Sequence, residues 1–383
     1  MKVLVAPLDW GLGHATRCVP VVREFLNQGA EVELAVVRSN ATLLRGFFQE
    51  IRQRLAPSYN IVYPKHGYNM GLWLAKNGVH LRTVMNYEHR FAEEMVERYH
   101  YDVLVSDNRF GFYSRHAKSI YMTHQRRIAF PKVLSAFEPL GMLWHASVMK
   151  HFDEVWVPDL PDFPGYAAGL SHVKQSPVPV KFVGALSRFE NHLEASAPRS
   201  YRFVAVVSGV EPARSRFESI LRKVLAKVPG RHAIILGKPI LGVKSWSEGN
   251  IDFHTHLPDH EFAEVVRGAQ WVVSRGGYST VMDMAVLGAK CIFVPTPGQY
   301  EQVVLSQDLA REGYAATISE SNFSIETLLA TMSENGNVAL PKPNGNDLLK
   351  NAIRELMSFS TEGRESSAGS RPLFEGPGRQ THF

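Results

Sequence analysis

The feature that most constrains the fold is an alternation of short apolar runs with longer segments of helical periodicity, which occurs twice along the chain. The short runs, such as Val3 to Pro7 and Asp102 to Asp107, are rich in β-branched residues, and segments such as Ala15 to Gln28 separate them. This pattern is typical of strands and crossover helices that form a parallel sheet. We therefore predict an α/β protein.

The two repeats are separated by a polar stretch without periodicity, which is typical of a linker between domains. We predict a first Rossmann-like domain at residues 1–188, a linker at 189–201 and a second Rossmann-like domain at 202–345. A C-terminal helix at 346–358 is expected to pack back toward the first domain, and residues 359–383 are expected to form a disordered tail. Two parallel-sheet domains of this kind are expected to face each other across a cleft.

The composition limits the class of protein. A hydrophobic fraction of 45% and a charged fraction of 21% are typical of a globular protein with a large core. No run approaches the roughly 20 apolar residues that cross a bilayer, and Asp9 interrupts the first apolar run before a signal-peptide core forms. We expect a cytoplasmic protein, or one held peripherally at the inner membrane face.

Cysteine usage and charge narrow the choice further. The two cysteines, Cys18 and Cys291, stand in apolar patterns and are predicted to be buried, reduced thiols. The net charge of +5 comes without a dense run of Lys and Arg, so we expect an anionic small ligand and no nucleic acid.

A glycine-rich loop, Gly11-Leu12-Gly13-His14, follows the first strand. Loops at the carboxyl ends of parallel strands face the ligand cleft, and glycines there permit tight turns. The helix that starts near Ala15 offers free N–H groups to an anion or an acceptor oxygen. A dinucleotide site would need a glycine where Thr16 stands and an acid near Arg38, so nicotinamide is not expected.

His14 is the predicted general base, because a neutral imidazole can take a proton from an acceptor hydroxyl. Asp107 ends a strand on the same edge and is expected to fix the tautomer of His14. The structural alternatives are that His14 bonds only its own loop and that Asp107 caps a turn. Gly11, Gly13 and His124 are expected to line the acceptor side, with His124 as a wall residue.

The second domain presents two loops that suit phosphate. Ser208 and Gly209 follow its first strand and are expected to offer backbone N–H groups, with Arg214 adding charge. The stronger feature is the turn Arg275-Gly276-Gly277, which leads into a helix where Ser279 or Thr280 is the expected cap. The amide dipoles of that helix would stabilise a pyrophosphate.

Three further side chains complete the predicted donor site. Asp283, about one turn into the helix, is expected to accept hydrogen bonds from a ribose diol, or to be a solvated helix carboxylate. Glu301 and Gln302 begin the next helix and are expected to hold sugar hydroxyls, with a capping box as the ordinary alternative.

From residue 1 to about 358 the chain resembles the GT-B glycosyltransferases of the MurG and UDP-glucuronosyltransferase group. The motifs that carry the resemblance are the Gly11-Leu12-Gly13-His14 loop, the Arg275-Gly276-Gly277 turn, Asp283, and the Glu301-Gln302 pair. MurG-type enzymes more often have Glu in place of Asp283 and two Gln in place of Glu301-Gln302.

The resemblance implies roles for these residues. His14 and Asp107 would form the His–Asp pair of inverting members, Leu257 would lie at a uracil base, and Asp283 would bind the ribose. Glu301 and Gln302 would bind the donor sugar. The diphosphate would be held by Ser208, Gly209, Gly277, Ser279 and Thr280, and stabilised on departure by the helix N-terminus with Arg275 or Arg214.

The activity expected from the resemblance is the inverting transfer of a hexosyl or N-acetylhexosaminyl group from a UDP-sugar to a hydroxyl. The acceptor would be a glycan, a lipid-linked molecule or a small molecule, as in cell envelope polysaccharide synthesis. Neither a metal nor another cofactor is expected. The mixed aromatic and basic segment 66–82 is predicted to be a mobile acceptor loop, a lipid-contacting patch, or packing under a long loop.

Three alternatives are kept open. The segment Gly11 to Cys18 also resembles the loop of nucleotide-sugar hydrolases in pseudaminic acid synthesis, which would use water as acceptor. A second alternative is a nucleotide-sugar-binding subunit without chemistry. The third is a metal site at His254 and His256, which share one strand face but have no Cys or acid at ligand spacing.

Overall fold

A computed structural model describes residues 1–59, 70–130, 132–190, 200–238, 242–343 and 347–368, with side chains left out at 70–77, 79, 132–134 and 359–368. The sequence also predicts a short strand at 61–63, which lies outside this description, as do residues 66–69 of the segment 66–82. The backbone of residues 70–82 belongs to a helix, Met70–Tyr99, so that part of the segment is not a loop. Among the described residues, no helix combines the length and the apolar character that crossing a membrane requires.

The first domain is built on a seven-stranded parallel sheet with the strand order β3-β2-β1-β4-β5-β6-β7. In the register of β1 and β4, Pro7 lies opposite Asp107, so the two strands end at the same level. The strands are β1 Lys2–Pro7, β2 Glu31–Val36, β3 Gln53–Leu55, β4 Val103–Asp107, β5 Lys118–Met122, β6 Glu154–Val157 and β7 Val180–Phe182.

The second domain contains another seven-stranded sheet, in the order β10-β11-β9-β8-β12-β13-β14. All of its pairs are parallel except β10 with β11. The strands are β8 Tyr201–Val206, β9 His232–Ile235, β10 Ser245–Glu248, β11 Ile251–His254, β12 Ala269–Ser274, β13 Cys291–Phe293 and β14 Ala316–Thr317. The prediction of two parallel-sheet α/β domains is confirmed.

Helices connect the strands, and their apolar faces pack on the sheets. Val19, Val22 and Phe25 of α1, for example, are fully buried in the core of the first domain. The described helices are α1 Leu12–Asn27, α2 Arg38–Phe47, α3 Met70–Tyr99, α4 Glu138–Met149, α5 Ala213–Leu225, α6 Asp259–Arg267, α7 Tyr278–Leu287, α8 Tyr300–Arg311, α9 Ile325–Glu334 and α10 Asp347–Ala368.

The last helix, α10, returns to the first domain, as predicted. The Gln28 side-chain amide donates to the carbonyl of Lys350 over 2.9 Å, and the Lys181 ammonium lies 2.8 Å from the Glu355 carboxylate. The described part of this helix extends to Ala368, so residues 359–368, expected to be part of a disordered tail, are helical. The rest of the expected tail, 369–383, lies outside the described residues.

The two cysteines are free and buried, as expected from their apolar surroundings. Burial raises the pKa of both thiols, which suits packing more than nucleophilic chemistry. The first sheet ends at Phe182 and the second begins at Tyr201, so the predicted linker lies between the sheets.

Candidate active site

The N-terminus of α1 in the first domain lies directly against the N-terminus of α7 in the second. The Ser279 hydroxyl donates to the Gly13 carbonyl over 3.0 Å, and a Cβ on Gly13 would lie only 2.9 Å from that hydroxyl oxygen. The Tyr278 hydroxyl donates to the carbonyl of Pro158 over 2.6 Å. The structure therefore brings the two predicted glycine-rich loops together at a closed interface between the domains.

His14 and Asp107 lie in contact, with 3.0 Å between Nδ1 and Oδ2. The aligned ends of β1 and β4 place them, and α1 starts at Leu12, so His14 stands in its first turn and not before it. Gly11 precedes the helix with a φ of 97°, a conformation that favours glycine. The alternatives in which each side chain serves only its own loop do not explain this contact.

Arg17 is a component of this cluster that we did not single out from the sequence. Its Nε donates to both carboxylate oxygens of Asp107, at 2.9 and 3.0 Å, and Nη2 also bonds Asp107. Both side chains are buried, at 2% and 0% exposure. The available signal was its spacing, since a residue three positions after His14 lies on the same helix face.

The charges of this cluster perturb each other. Burial alone would raise the pKa of Asp107, but the nearby Arg17 and His14 lower it overall, so the carboxylate is ionised. Burial and the Arg17 charge lower the pKa of His14, against the opposing pull of Asp107. The imidazole is therefore neutral near pH 7, as a general base must be.

The tautomer of His14 follows from its neighbours. Its Nδ1 also lies 2.9 Å from Nη2 of Arg17, which can only donate. A proton on Nδ1 is donated to the Asp107 carboxylate, and the approach of Nη2 to that nitrogen is then not a hydrogen bond, because neither nitrogen can accept. Arg17 bonds the same carboxylate instead. We assign the proton to Nδ1, which leaves the Nε2 lone pair free to accept a proton.

His124 crosses the cleft to a residue of the donor half. Its Nε2 lies 2.9 Å from Oε1 of Glu301, and its ring stacks on Tyr278 with 3.9 Å between centroids and an interplanar angle of 2°. Partial desolvation in the cleft would raise the pKa of Glu301, but the hydrogen bond and charge of His124 lower it overall. His124 thus does more than line a wall, because it holds the carboxylate predicted to bind the donor sugar.

Gln302 is engaged within its own loop. Its Oε1 accepts from the backbone N–H of Thr296 over 2.9 Å, and its Nε2 donates to the side chain of Gln299. The residue before α8, Gln299, makes no side-chain cap to the helix, so the capping-box alternative is not observed. In this structure Gln302 stabilises the loop that presents Glu301.

The paired glycines differ in their surroundings. A Cβ on Gly276 would lie 2.3 Å from the Ser306 hydroxyl oxygen, so Gly276 is required for packing against α8. A Cβ on Gly277 would meet nothing closer than the Thr280 hydroxyl, at 3.9 Å. Gly277 precedes α7 without a side-chain cap, so the expected cap by Ser279 or Thr280 is wrong. The first N–H groups of α7 are thereby left without a side-chain acceptor, as an anion site requires.

Arg275 does not take the place predicted for it. Its guanidinium is buried, bonds the carbonyls of Val294 and Ala213, and pairs with Glu320. It also lies over the Phe217 ring, 3.9 Å from its centroid. All of these partners belong to the interior of the second domain, so Arg275 supports the glycine turn and does not stabilise a leaving group.

Asp283 is held by Ser187, a residue near the end of the first domain. Its Oδ1 accepts from the Ser187 hydroxyl over 2.6 Å, and burial raises its pKa to about 6. Asp283 is half-buried and already bonded, so a ribose would have to displace or share the Ser187 contact.

The remaining predicted donor residues follow strands β8 and β11 of the second domain. Gly209 is exposed, has a φ of 104°, and has open space where a Cβ would be. Ser208, beside it, is half-buried. Arg214 bonds Glu211 over 3.0 Å and the carbonyl of Gly237 over 3.3 Å, so its charge is partly compensated. The Leu257 side chain is in the core, which leaves its backbone to meet a base.

The alternative metal site gains no further ligand. Nδ1 of His254 lies 2.8 Å from the Ser245 hydroxyl. In the part of the chain that the structure describes, no three His, Cys, Asp or Glu side chains gather closely enough to hold a metal ion.

Comparisons with known proteins bear on this fold. Residues 242–355 match the Glycosyltransferase family 28 C-terminal domain. An uncharacterized glycosyltransferase from Methanosarcina acetivorans is 25% identical over 337 residues, which cover 83% of this chain and 84% of the relative. A shorter match of 76 residues, at 34% identity, covers 19% of this chain and 20% of the UDP-N-acetylglucosamine--N-acetylmuramyl-(pentapeptide) pyrophosphoryl-undecaprenol N-acetylglucosamine transferase from Bartonella tribocorum.

Among solved structures, the spinosyn rhamnosyltransferase SpnG complexed with thymidine diphosphate matches with a TM-score of 0.58 and 18% identity. The match covers 93% of this chain and 100% of the other. The two domains with facing glycine loops define a protein of the GT-B fold. With the family 28 match in its second domain, the chain is a glycosyltransferase of the GT-B class, and this prediction is confirmed.

Proposed function

We propose that the chain is an inverting glycosyltransferase that moves a sugar from a UDP-sugar to an acceptor hydroxyl, with His14 as general base. The observation that carries this proposal is the 3.0 Å contact between His14 and the buried carboxylate of Asp107. This His14–Asp107 pair lies opposite the N-terminus of α7, which has no side-chain cap. The Ser279 hydroxyl connects that helix to the loop that carries His14.

The reaction balances with these groups. The acceptor hydroxyl gives its proton to Nε2 of His14, and its oxygen forms a bond to the anomeric carbon of the donor sugar. The bond from that carbon to the phosphate oxygen breaks, and its electron pair leaves with the nucleoside diphosphate. The N–H groups at the start of α7 and beside Gly209 would stabilise the departing charge. Attack opposite the leaving group inverts the anomeric configuration.

One of the comparisons supports the choice of a UDP-sugar as donor. The transferase from Bartonella tribocorum is named for a UDP-sugar, which favours uridine over thymidine and a hexosyl or N-acetylhexosaminyl group. In this scheme neither a metal ion nor another cofactor takes part. A cell envelope acceptor and a cytoplasmic or peripheral membrane location stay predictions.

A cavity of about 680 Å³ in the first domain is our candidate for the acceptor site. It lies between α3 and α4 and is lined by apolar side chains, such as Leu81 and Trp144, together with Arg82, His89 and His151. Trp144 packs on Phe110, which in turn packs on Trp10, four residues before His14, so one aromatic cluster connects the cavity with the segment that leads to the base. Its lining suits an acceptor with an apolar part and an anionic or hydroxylated part.

The test begins with a thermal-shift screen against nucleoside diphosphates, which identifies the donor class before the acceptor is known. The protein is then incubated with matching nucleotide-sugars, with and without candidate acceptors, and the anomeric product is followed by NMR. Replacing His14 with Ala should reduce turnover by roughly 10²- to 10⁴-fold and leave the affinity for UDP nearly unchanged. His260→Ala, which removes an exposed histidine from α6, is the matched control and should retain activity.

Turnover unchanged in His14→Ala would remove His14 from the mechanism. Rapid, stoichiometric release of free sugar without any acceptor would favour the hydrolase alternative. A nucleotide-binding subunit would bind the donor and release nothing, but such a protein has no need of the His14–Asp107 contact.

A further inference from the structure

One connected set of polar contacts runs from the predicted base to the predicted sugar site and crosses between the domains. From the carboxylate of Asp107, which bonds His14, it passes through Arg17 to Nδ1 of His124 over 3.4 Å, and continues from Nε2 of His124 to Glu301 over 2.9 Å. Glu301 belongs to the second domain and the other residues belong to the first.

The direction of these hydrogen bonds is fixed by chemistry. A guanidinium has no lone pair to offer, so Nδ1 of His124 must accept from Arg17 and carries no proton. The imidazole proton therefore lies on Nε2 and is donated to the carboxylate of Glu301. Arg17, itself held by Asp107, thus selects the His124 tautomer that can hold Glu301.

His124 is also held rigidly in place. Its side chain is 4% exposed, and its ring stacks in parallel on Tyr278, the first residue of the donor helix α7. Glu301, in contrast, is 39% exposed. One carboxylate oxygen is thus tied to the first domain, and the side chain still has a surface open to a ligand.

We propose that His124 is a positioning residue that forms a latch with Glu301 across the cleft, so that the donor sugar is recognised only when the domains are closed. This inference rests on the proposed function, because it assumes that Glu301 contacts the sugar. When the domains separate, Glu301 loses the partner that orients it, and its affinity for the sugar hydroxyls falls. The sugar, by bonding the oriented carboxylate, stabilises the closed arrangement in return.

If His124 and Glu301 form this latch, breaking it should weaken binding of the nucleotide-sugar and leave binding of the nucleotide alone unchanged. His124→Phe keeps the ring that stacks on Tyr278 and removes both nitrogens, so Glu301 loses its orienting bond. We expect the KM for the nucleotide-sugar to rise roughly 10- to 100-fold, the loss of one charge-assisted hydrogen bond, while the Kd for the free nucleoside diphosphate stays unchanged. His124→Gln, which can still donate to Glu301, should recover part of the loss.

A double-mutant comparison isolates the pair. Glu301→Gln alone should raise the same KM, and His124→Phe with Glu301→Gln should be no worse than the more severe single variant. Glu355→Gln is the matched control, because it removes an ion pair that joins α10 to Lys181 of the first domain outside this cluster. Additive losses in the double variant, or an equal loss of affinity for nucleotide and nucleotide-sugar, would overturn the latch.

Small-angle X-ray scattering of the protein without nucleotide tests the closure independently of any donor. The His124→Phe variant should have a larger radius of gyration than the wild type, and Glu355→Gln should not. If no nucleotide binds to the wild type, the proposed function fails, and the scattering result alone decides whether the pair closes the domains. An unchanged radius of gyration in His124→Phe would then overturn the latch.

Discussion

Replacing Asp107 with Asn is expected to impair stability and catalysis together, for reasons that can be separated. The Asp107 carboxylate is fully buried and accepts hydrogen bonds from Arg17 and His14. Asparagine has nearly the same shape but no charge. The substitution therefore leaves the guanidinium of Arg17, which is 2% exposed, buried without a counter-charge.

The size of the effect follows from that burial. Breaking a buried ion pair by removing one partner costs about 3–5 kcal/mol. For a domain of 150 to 250 residues this corresponds to a fall in Tm of roughly 6 to 20 °C. Loss of the group that orients His14 should also lower kcat by roughly 10²- to 10⁴-fold.

Two companion variants separate the two effects. His14→Ala removes one hydrogen bond from a side chain that is 16% exposed, so it should cost only about 1 kcal/mol of stability and yet lose the same catalysis. Arg17→Met in the Asp107→Asn background removes the orphaned charge and should restore most of the stability without restoring kcat.

The measurements are thermal unfolding followed by circular dichroism and steady-state kinetics at saturating donor. The reasoning is refuted if Asp107→Asn retains the wild-type Tm. It is also refuted if the Arg17→Met background fails to recover stability, because the loss would then have another cause.

Three further predictions can be checked on the same protein. Gly277→Ala should fold normally and yet weaken UDP binding, as measured by calorimetry. Gly276→Ala should lower Tm, because its Cβ would lie 2.3 Å from a neighbouring hydroxyl oxygen. Equal UDP affinity in Gly277→Ala and the wild type would argue against the phosphate site. Because the pKa of His14 in the ligand-free protein is lowered, the base stays neutral below its ordinary pKa of about 6.5, so the acidic limb of kcat/KM against pH should lie below that value; a limb above it would contradict the assignment. Arg275→Met should lower the free energy of unfolding by roughly 1–3 kcal/mol in denaturant unfolding, because it removes the guanidinium bonds to the carbonyls of Val294 and Ala213 while Arg216 still pairs with Glu320, and the folded variant should bind UDP as the wild type does.

The sequence predicted best what the backbone topology determines. Loops after parallel strands must share one edge of the sheet, so the strands ending at Pro7 and Asp107 were sufficient to place His14 near its carboxylate. Helix ends were less certain. Helix α1 begins at Leu12, because Gly11 at a positive φ lets the chain enter the helix before His14.

Contacts of long side chains were not predictable in the same way. The guanidinium of Arg275 turns inward to Glu320, 45 residues further along the chain, and nothing in the local sequence fixes that direction. Arg17 stood in the motif, but only the folded domain shows that it joins Asp107 to His124. The bond from His124 to Glu301 depends on how two separate domains meet.

One missed element did leave a signal in the sequence. Strand β10, Ser245–Glu248, is exposed and mostly polar, with Trp246 as its one large apolar residue, so it has no apolar run to mark it. The two residues between it and β11 are Gly249 and Asn250, a pair typical of a tight hairpin turn. Tertiary pairing with β11 therefore outweighs the absence of hydrophobic periodicity.

The most direct test of the central claim, that the second domain holds a nucleoside diphosphate opposite His14, is a crystal structure of the protein with UDP. We predict diphosphate density at the start of α7, with phosphate oxygens about 3 Å from the backbone nitrogens that follow Gly277 and the imidazole of His14 facing it. A diphosphate bound elsewhere on the protein, with the start of α7 empty, would contradict the account.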